Sequence, residues 1–390
     1  MDRAFPGHHR PNAGEADCGA APNNIIYDDS WFDSALVSLG CMGIVYAVVL
    51  RVRDQYNMIE TTTQTTWRAF VPTAAGLLGG TSNPNNRFLQ VAVDPYPDST
   101  GNNVCLVTTR TEGGSGDCTC TQGDVVGAVA GMLADLIVAN PGEAVKLGIQ
   151  GIQTLIQTNS GQNTVMQALV GLIDGILAQP PDLRAVLVKD YGQIMLAVWP
   201  PGTCGVKSYF VMDSSRRGQG SNSPPGLPTT PGLSIEMFLQ AVDINGHMPW
   251  VDFVSSVLGL INAATNTFLA GYISIRFSGL IRACLGMQQF NQTCSVEISA
   301  LGGIQGELAL LTSILDSMYT FKGLPHWAHW GQLIDSNLQG NGSLYPRFQV
   351  WRGTYVRMSN NFTTRTFRAG CRFAGSSRRR EGDERNRKSR

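Results

Sequence analysis

Three stretches of this chain combine residue types that could do chemistry. In Ser38-Leu39-Gly40-Cys41-Met42-Gly43-Ile44-Val45, two glycines stand three residues apart between a predicted helix and a predicted strand. Glycine there permits positive φ and lets the backbone approach something flat or bulky, although tight turns also use it for packing alone. In Tyr272-Ile273-Ser274-Ile275-Arg276, strand alternation puts positions 274 and 276 on one face. Arg276 is then either a salt-bridged strand residue or a cation shown to a ligand. Glu297, on a second predicted strand, is an acid/base candidate for the same surface. The third stretch is His326-Trp327-Ala328-His329-Trp330-Gly331-Gln332. A lone histidine is usually structural, but two tryptophans and a glycine give His329 and Gln332 the setting of a compact site.

Other chemistries are poorly served. Cys118-Thr119-Cys120 is the one close cysteine pair, and a single spacer is a poor zinc interval, so both read as loop thiols. His8-His9 lies in a polar lead-in and reads as solvated; no metal site is expected. Nine cysteines in 390 residues are too few, and odd in number, for a disulfide framework. A reducing, cytoplasmic setting is therefore expected. No secretory h-region and no run of 18 apolar residues is visible, which favours a soluble chain and gives no indication of membrane association.

Formal charge is zero, but Arg368–Arg390 carries nine basic and three acidic residues. The body is correspondingly acidic, so nucleic acid is not an expected partner. The tail from residue 367 reads as a solvated, disordered terminus.

The elements that must position these residues follow from hydrophobic period. Residues 1–24 form an unstructured lead-in. Ser30 is placed to cap a helix over Trp31–Leu39, with Gly40 as a left-handed stop. Ile44–Arg53 reads as a strand, and Phe88–Arg110 as strand-rich with a turn at Asp98–Asn102. Helices are expected at Asp124–Ala139, Gly142–Thr158, Thr164–Ala178, Ile235–Val242, Trp250–Leu269 and Glu307–Phe321. Strands are expected at Tyr209–Met212, Tyr272–Phe277 and Ser295–Leu301, with an exposed loop over Gly218–Gly232. Strands and helices mixed without βαβ regularity predict an α+β fold.

The string SLGCMGIVYAVVLRV, with Tyr56 and Trp67 after it, resembles the end of the FAD-binding domain in the vanillyl-alcohol-oxidase superfamily, whose FAD-binding domain is of the PCMH type. Within it the likeness is to aldonolactone, alditol and type II cholesterol oxidases, including D-arabinono-1,4-lactone oxidase. The resemblance implies that Leu39, Gly40, Gly43, Ile44 and Val45 line FAD. It also implies that Arg276 faces the flavin from a cap-domain strand, where Ser274 stands in place of the family's usual Glu. His329 and Gln332 match the family's His-Trp-Gly-Gln or His-Trp-Gly-Lys motif and would reach flavin and substrate, with His329 as base or flavin contact and Glu297 as the alternative acid/base. Tyr345-Pro346-Arg347, Trp351-Arg352 and Phe362-Thr363 follow at similar spacing.

On that resemblance, residues 25–66 are the remnant of an FAD-binding domain. Residues 67–366 are a cap domain with an antiparallel sheet flanked by helices, returning to the flavin at its end. The family's Gly-rich phosphate loop and flavin-linked histidine have no match before Ile25, so a truncated oxidase that retains FAD weakly is expected. The expected substrate is a sugar-derived alcohol or lactone, with O₂ taking the electrons, and self-association is an open expectation. The rivals are a non-catalytic fragment and a carbohydrate-binding or assembly protein.

Overall fold

A computed structural model of the chain describes residues 27–40, 42, 48, 52–78, 88–98, 100–114, 201–208, 232–264, 267–301, 306–326 and 345–361. It is an α+β fold built on one eight-stranded sheet. The strands are β1 (Asn57–Thr66), β2 (Phe88–Pro97), β3 (Asn103–Glu112), β4 (Gly202–Lys207), β5 (Gly232–Gln240), β6 (Gly271–Gly279), β7 (Gln292–Leu301) and the short β8 (Leu324–Pro325). Their order is β4-β1-β3-β2-β6-β7-β5-β8, and every pairing is antiparallel.

Period-two alternation sorts the sheet into two unlike faces. Val91, Ile235, Met237, Ile273, Ile275, Val296 and Ile298 all point to one side and are almost fully buried. Three helices cover that side: α2 (Trp67–Leu78), α3 (Pro249–Ala263) and α4 (Glu307–Ser317). Each presents apolar residues at helical spacing, as in Trp250, Phe253, Val254, Val257, Leu258 and Ile261 of α3. Pro249 at the start of α3 costs no hydrogen bond there and presets φ. Trp250 is the hub, edge-on to Trp67 at 6.0 Å and to Phe277 at 5.3 Å, with its indole N–H donating to the Ala241 carbonyl at 2.9 Å. Gly271 lets β6 close on β7, because a Cβ there would lie 1.6 Å from the Ser299 carbonyl oxygen.

A smaller cluster joins α1 (Asp29–Ala35) to α5 (Phe348–Asn361) through Cys284, Leu285, Tyr345 and Trp351. Buried Asp33 accepts from Arg347 at 2.9 Å, and the Trp351 indole donates to the Val37 carbonyl at 3.1 Å. Of the late residues noted for family-like spacing, Tyr345, Arg347 and Trp351 thus pack this second core.

Several expectations need correction. The segment expected as a helix over Ile235–Val242 is strand as far as Gln240: Ile235, Met237 and Leu239 alternate into the core, and it pairs with both β7 and β8. The α1 cap is Asp28 rather than Ser30; its carboxylate accepts from Ser30 N–H at 2.8 Å and Trp31 N–H at 3.3 Å. The helix from Trp250 stops at Ala263, since Leu269 and Ala270 turn their N–H groups to Tyr96 and Glu307. Strands β1 and β4 and helices α2 and α5 are not among the elements expected from hydrophobic period. Cys204 on β4 is disulfide-bonded, while Cys105, Cys284 and Cys294 are free and buried.

The other readings compare as follows. The helix expected over Trp31–Leu39 runs instead over Asp29–Ala35 with Leu36 as its C-cap, so Gly40, though at φ +73, lies in a separate turn and is not the helix stop. Of the strand expected at Ile44–Arg53, only Val48, Val52 and Arg53 are described, and none is in a strand. The segments Asp124–Ala139, Gly142–Thr158, Thr164–Ala178 and Tyr209–Met212, and the loop 218–231, lie outside the described residues. Among the described residues no helix is long and apolar enough to cross a membrane, and no group of three or more His, Cys, Asp or Glu is arranged to hold a metal ion.

Candidate functional site

The second face of the sheet is largely polar, and its register can be followed strand by strand. Residues directly opposite in an antiparallel pair point the same way. One row runs Thr62–Thr108–Gln90–Arg276–Ser295–Phe238 across β1, β3, β2, β6, β7 and β5. The adjacent row includes Ala92, Ser274, Glu297 and Glu236. Positions 274 and 276 do share one face, turned away from the helices.

Carboxylates from two strands, β5 and β7, converge on Arg276 of β6. Its guanidinium donates to Glu297 in a close ion pair and lies 3.4 Å from Glu236 Oε1. The Ser295 hydroxyl also donates to Glu236 Oε1. On the far side of Glu236, the His326 Nε2 is 3.8 Å from Oε2. The His326 backbone N–H donates to the Glu236 carbonyl at 2.9 Å, and its ring leans on Phe238 with centroids 5.9 Å apart. Side-chain exposure grades across the group: 48% for Arg276, 18% for Glu297 and 9% for Glu236. The cation is therefore held from behind by a buried carboxylate and shown to the outside.

Tyr272 borders the group on β6. Burial pushes its phenol above the ordinary range, with Glu297 adding to the rise and Arg276 opposing it, so the hydroxyl stays neutral. Tyr272 also packs with Ala92, Val104 and Leu106, a small apolar patch beside the charges. Ala92 and Leu106 are themselves buried, so the Arg276 guanidinium is the exposed member of the group.

Of the residues singled out in the sequence, the structure brings Arg276 and Glu297 into contact. Leu39 and Gly40 form an exposed left-handed turn after α1, with φ +51 and +73. A Cβ on Gly40 would meet nothing within 4 Å, so the glycine answers to backbone conformation rather than to crowding. Gly43, Ile44, Val45, His329 and Gln332 lie outside the described residues. Glu236, Ser295 and His326 are site residues that the sequence reading misses. The alternation Ile235, Met237, Leu239 is the available signal for Glu236, because it places residue 236 on the face of 297.

The chain matches no protein-family model and no curated protein. Among solved structures it is similar to a berberine bridge enzyme variant at 11% identity and TM-score 0.39, covering 83% of this chain and 57% of that one. It is also similar to berberine bridge enzyme from Eschscholzia californica at 10% identity and TM-score 0.36, covering 80% and 54%. A third is GilR, an oxidoreductase that catalyzes the terminal step of gilvocarcin biosynthesis, at 9% identity and TM-score 0.36, covering 78% and 54%. The chain thus spans little more than half the length of these proteins. Likenesses at this level carry no argument about the site, which stands on its own residues.

Proposed function

We propose that this chain is the substrate-facing part of an FAD-linked oxidase that oxidises the CH–OH group of a sugar-derived alcohol or lactone, in the manner of D-arabinono-1,4-lactone oxidase. One observation carries the reading: a half-exposed guanidinium, Arg276, backed by two carboxylates on the polar face of an antiparallel sheet. Oxidising a carbinol requires a group to take the hydroxyl proton and a cation to steady the oxygen as that proton leaves. Glu297 and Arg276 supply the two from adjacent strands.

The donor set fits the substrate side of such a site. It shows one half-exposed cation with the part-buried Glu297 and the neutral Tyr272 phenol beside it, while Glu236, Ser274, Ser295, Ala92 and Leu106 are buried behind them. When bound, FAD would supply the two-electron acceptor, with O₂ as the final oxidant. The resemblance of the Leu39–Val45 turn to the family's flavin-lining segment, and of His329 and Gln332 to its His-Trp-Gly motif, assigns those residues to the cofactor side. Ser274, where the family carries Glu, leaves Glu297 on the neighbouring strand as the carboxylate opposite it. The base is thus displaced by one strand while remaining on the same face.

The experiment is oxygen uptake with FAD in excess and a panel of polyols and aldonolactones. Uptake with at least one of them, lost in Glu297→Gln, supports the reading. FAD that binds and is reduced by none of the panel overturns it.

A further inference from the structure

We propose that Glu236 is the positioning residue of this site, fixing Arg276 on one side and His326 on the other so that both side chains are tied to a single buried carboxylate. The assignment rests on the oxidase reading only in taking Arg276 and Glu297 as the groups that meet the substrate. Its basis is geometric. Glu236 comes from β5, Arg276 from β6, Ser295 and Glu297 from β7, and His326 directly follows β8. No local propensity gathers residues from four strands; a shared partner between them does.

The two oxygens of Glu236 divide the work. Oε1 takes the Ser295 hydroxyl and faces the Arg276 guanidinium at 3.4 Å. Oε2 faces His326 Nε2 at 3.8 Å. The backbone N–H of His326 is tied to the Glu236 carbonyl, which fixes the residue beside β5, and its ring leans on Phe238. Tyr345 braces the same edge by donating to the Pro325 carbonyl at 2.5 Å. The groups facing Glu236 among the described residues are therefore Arg276, Ser295, His326 and, directly opposite on β7, Glu297, a like charge that Arg276 bridges; Tyr272 lies one row further along β6.

A carboxylate held this way has two consequences. It keeps the guanidinium from folding wholly onto Glu297, which leaves Arg276 half in solvent and able to reach a ligand oxygen. It also favours the protonated imidazole, because an anion within about 4–6 Å stabilises a cation. Glu236 touches no reacting atom, and its influence runs through its two partners.

The test follows the five histidines of the whole chain by NMR with labelled imidazole carbons, with His326 assigned from His326→Asn. In wild-type protein the His326 ring takes up its proton at a higher pH than in Glu236→Gln, the midpoint falling by about one pH unit when the charge is removed. Ser295→Ala keeps the charge but frees the carboxylate to turn toward Arg276, and moves the midpoint the same way by a smaller step. That second variant serves if Glu236→Gln does not fold. An unmoved His326 midpoint in the folded variants overturns the proposal. A shift without any FAD-dependent turnover keeps the positioning role and removes the oxidase reading. Turnover without a shift does the reverse.

Discussion

Two arginine–glutamate pairs lie on the same face of this sheet and differ mainly in their access to water. Arg110 on β3 bonds Glu60 on β1 at 2.5 Å, with side chains 7% and 5% exposed. Arg276 on β6 bonds Glu297 on β7 with side chains 48% and 18% exposed. The first pair is closed, with Thr62 and Thr108 hydrogen-bonded to each other at 2.9 Å in the next row. The second is open and backed by an additional carboxylate, Glu236. A cross-strand ion pair is therefore no signature of function. What distinguishes the candidate site is a guanidinium with one face held and the other free. The closed pair is a fixture of the fold, and the open one is a fixture with an unused side.

This contrast can be broken most directly through stability. Removing one partner of a buried pair strands the other charge, at a cost of about 3–5 kcal/mol. Arg110→Ala should therefore show a large loss in urea denaturation. Arg276→Ala, at an exposed pair, should lose no more than about 1 kcal/mol. Equal losses would dissolve the distinction between the pairs.

A buried acid held without an arginine sharpens the point. Glu307 accepts from the Ala270 N–H at 3.0 Å through Oε1, while Oε2 has no hydrogen-bond partner among the described residues. Burial pushes its carboxyl up to about 8 from 4.5, against a smaller opposing effect of that hydrogen bond. The folded chain then holds a proton that the unfolded chain has released. Stability falls as pH rises from about 4.5 to about 8, because the unfolded state binds fewer protons over that window. Glu307→Gln cannot ionise, so this slope should flatten, by on the order of a few kcal/mol between the ends of the window. Thermal melts at about pH 5 and about pH 8 check it: an unchanged difference between them would mean Glu307 is ionised in the fold.

The smallest effect lies far from both pairs. Asp28 caps α1, and Asp28→Ala should lower stability by the smallest step of the three while leaving the Arg276 surroundings unaltered. Fluorescence-monitored unfolding measures the loss. A change in substrate handling in this variant would show that α1 is coupled to the sheet face.

The exposed half of the site is readable in the sequence and its buried half is not, for one physical reason. Alternation in Tyr272–Phe277 is short, clean and bounded, so the residue pattern alone assigns Arg276 a face. Glu297 follows from the next strand. Glu236 escapes because Ile235–Val242 is a short apolar run, which period alone does not separate from a buried helix. A helix there moves residue 236 off the sheet. Pairing on both sides by β7 and β8, a tertiary fact, decides the matter. The threonine run of β1 carries β-branched propensity without apolar alternation, which hides the strand and with it the Glu60–Arg110 pair. Helix α2 is obscured by Pro72 and Gly76, and α5 by its polar composition. His326 is eclipsed by His329 because the family motif favours the latter.

The central claim is that substrate meets the open pair and not merely the sheet that carries it. The direct measurement is the single-turnover rate of flavin reduction, with FAD in excess and a substrate found in the oxygen-uptake panel, in wild-type protein and in Arg276→Ala. Loss of one electrostatic stabiliser predicts a rate lower by about a hundredfold, in a variant whose urea midpoint is nearly that of the wild type. An unchanged rate would contradict the account and leave Arg276 as a second structural ion pair, no different in kind from Arg110.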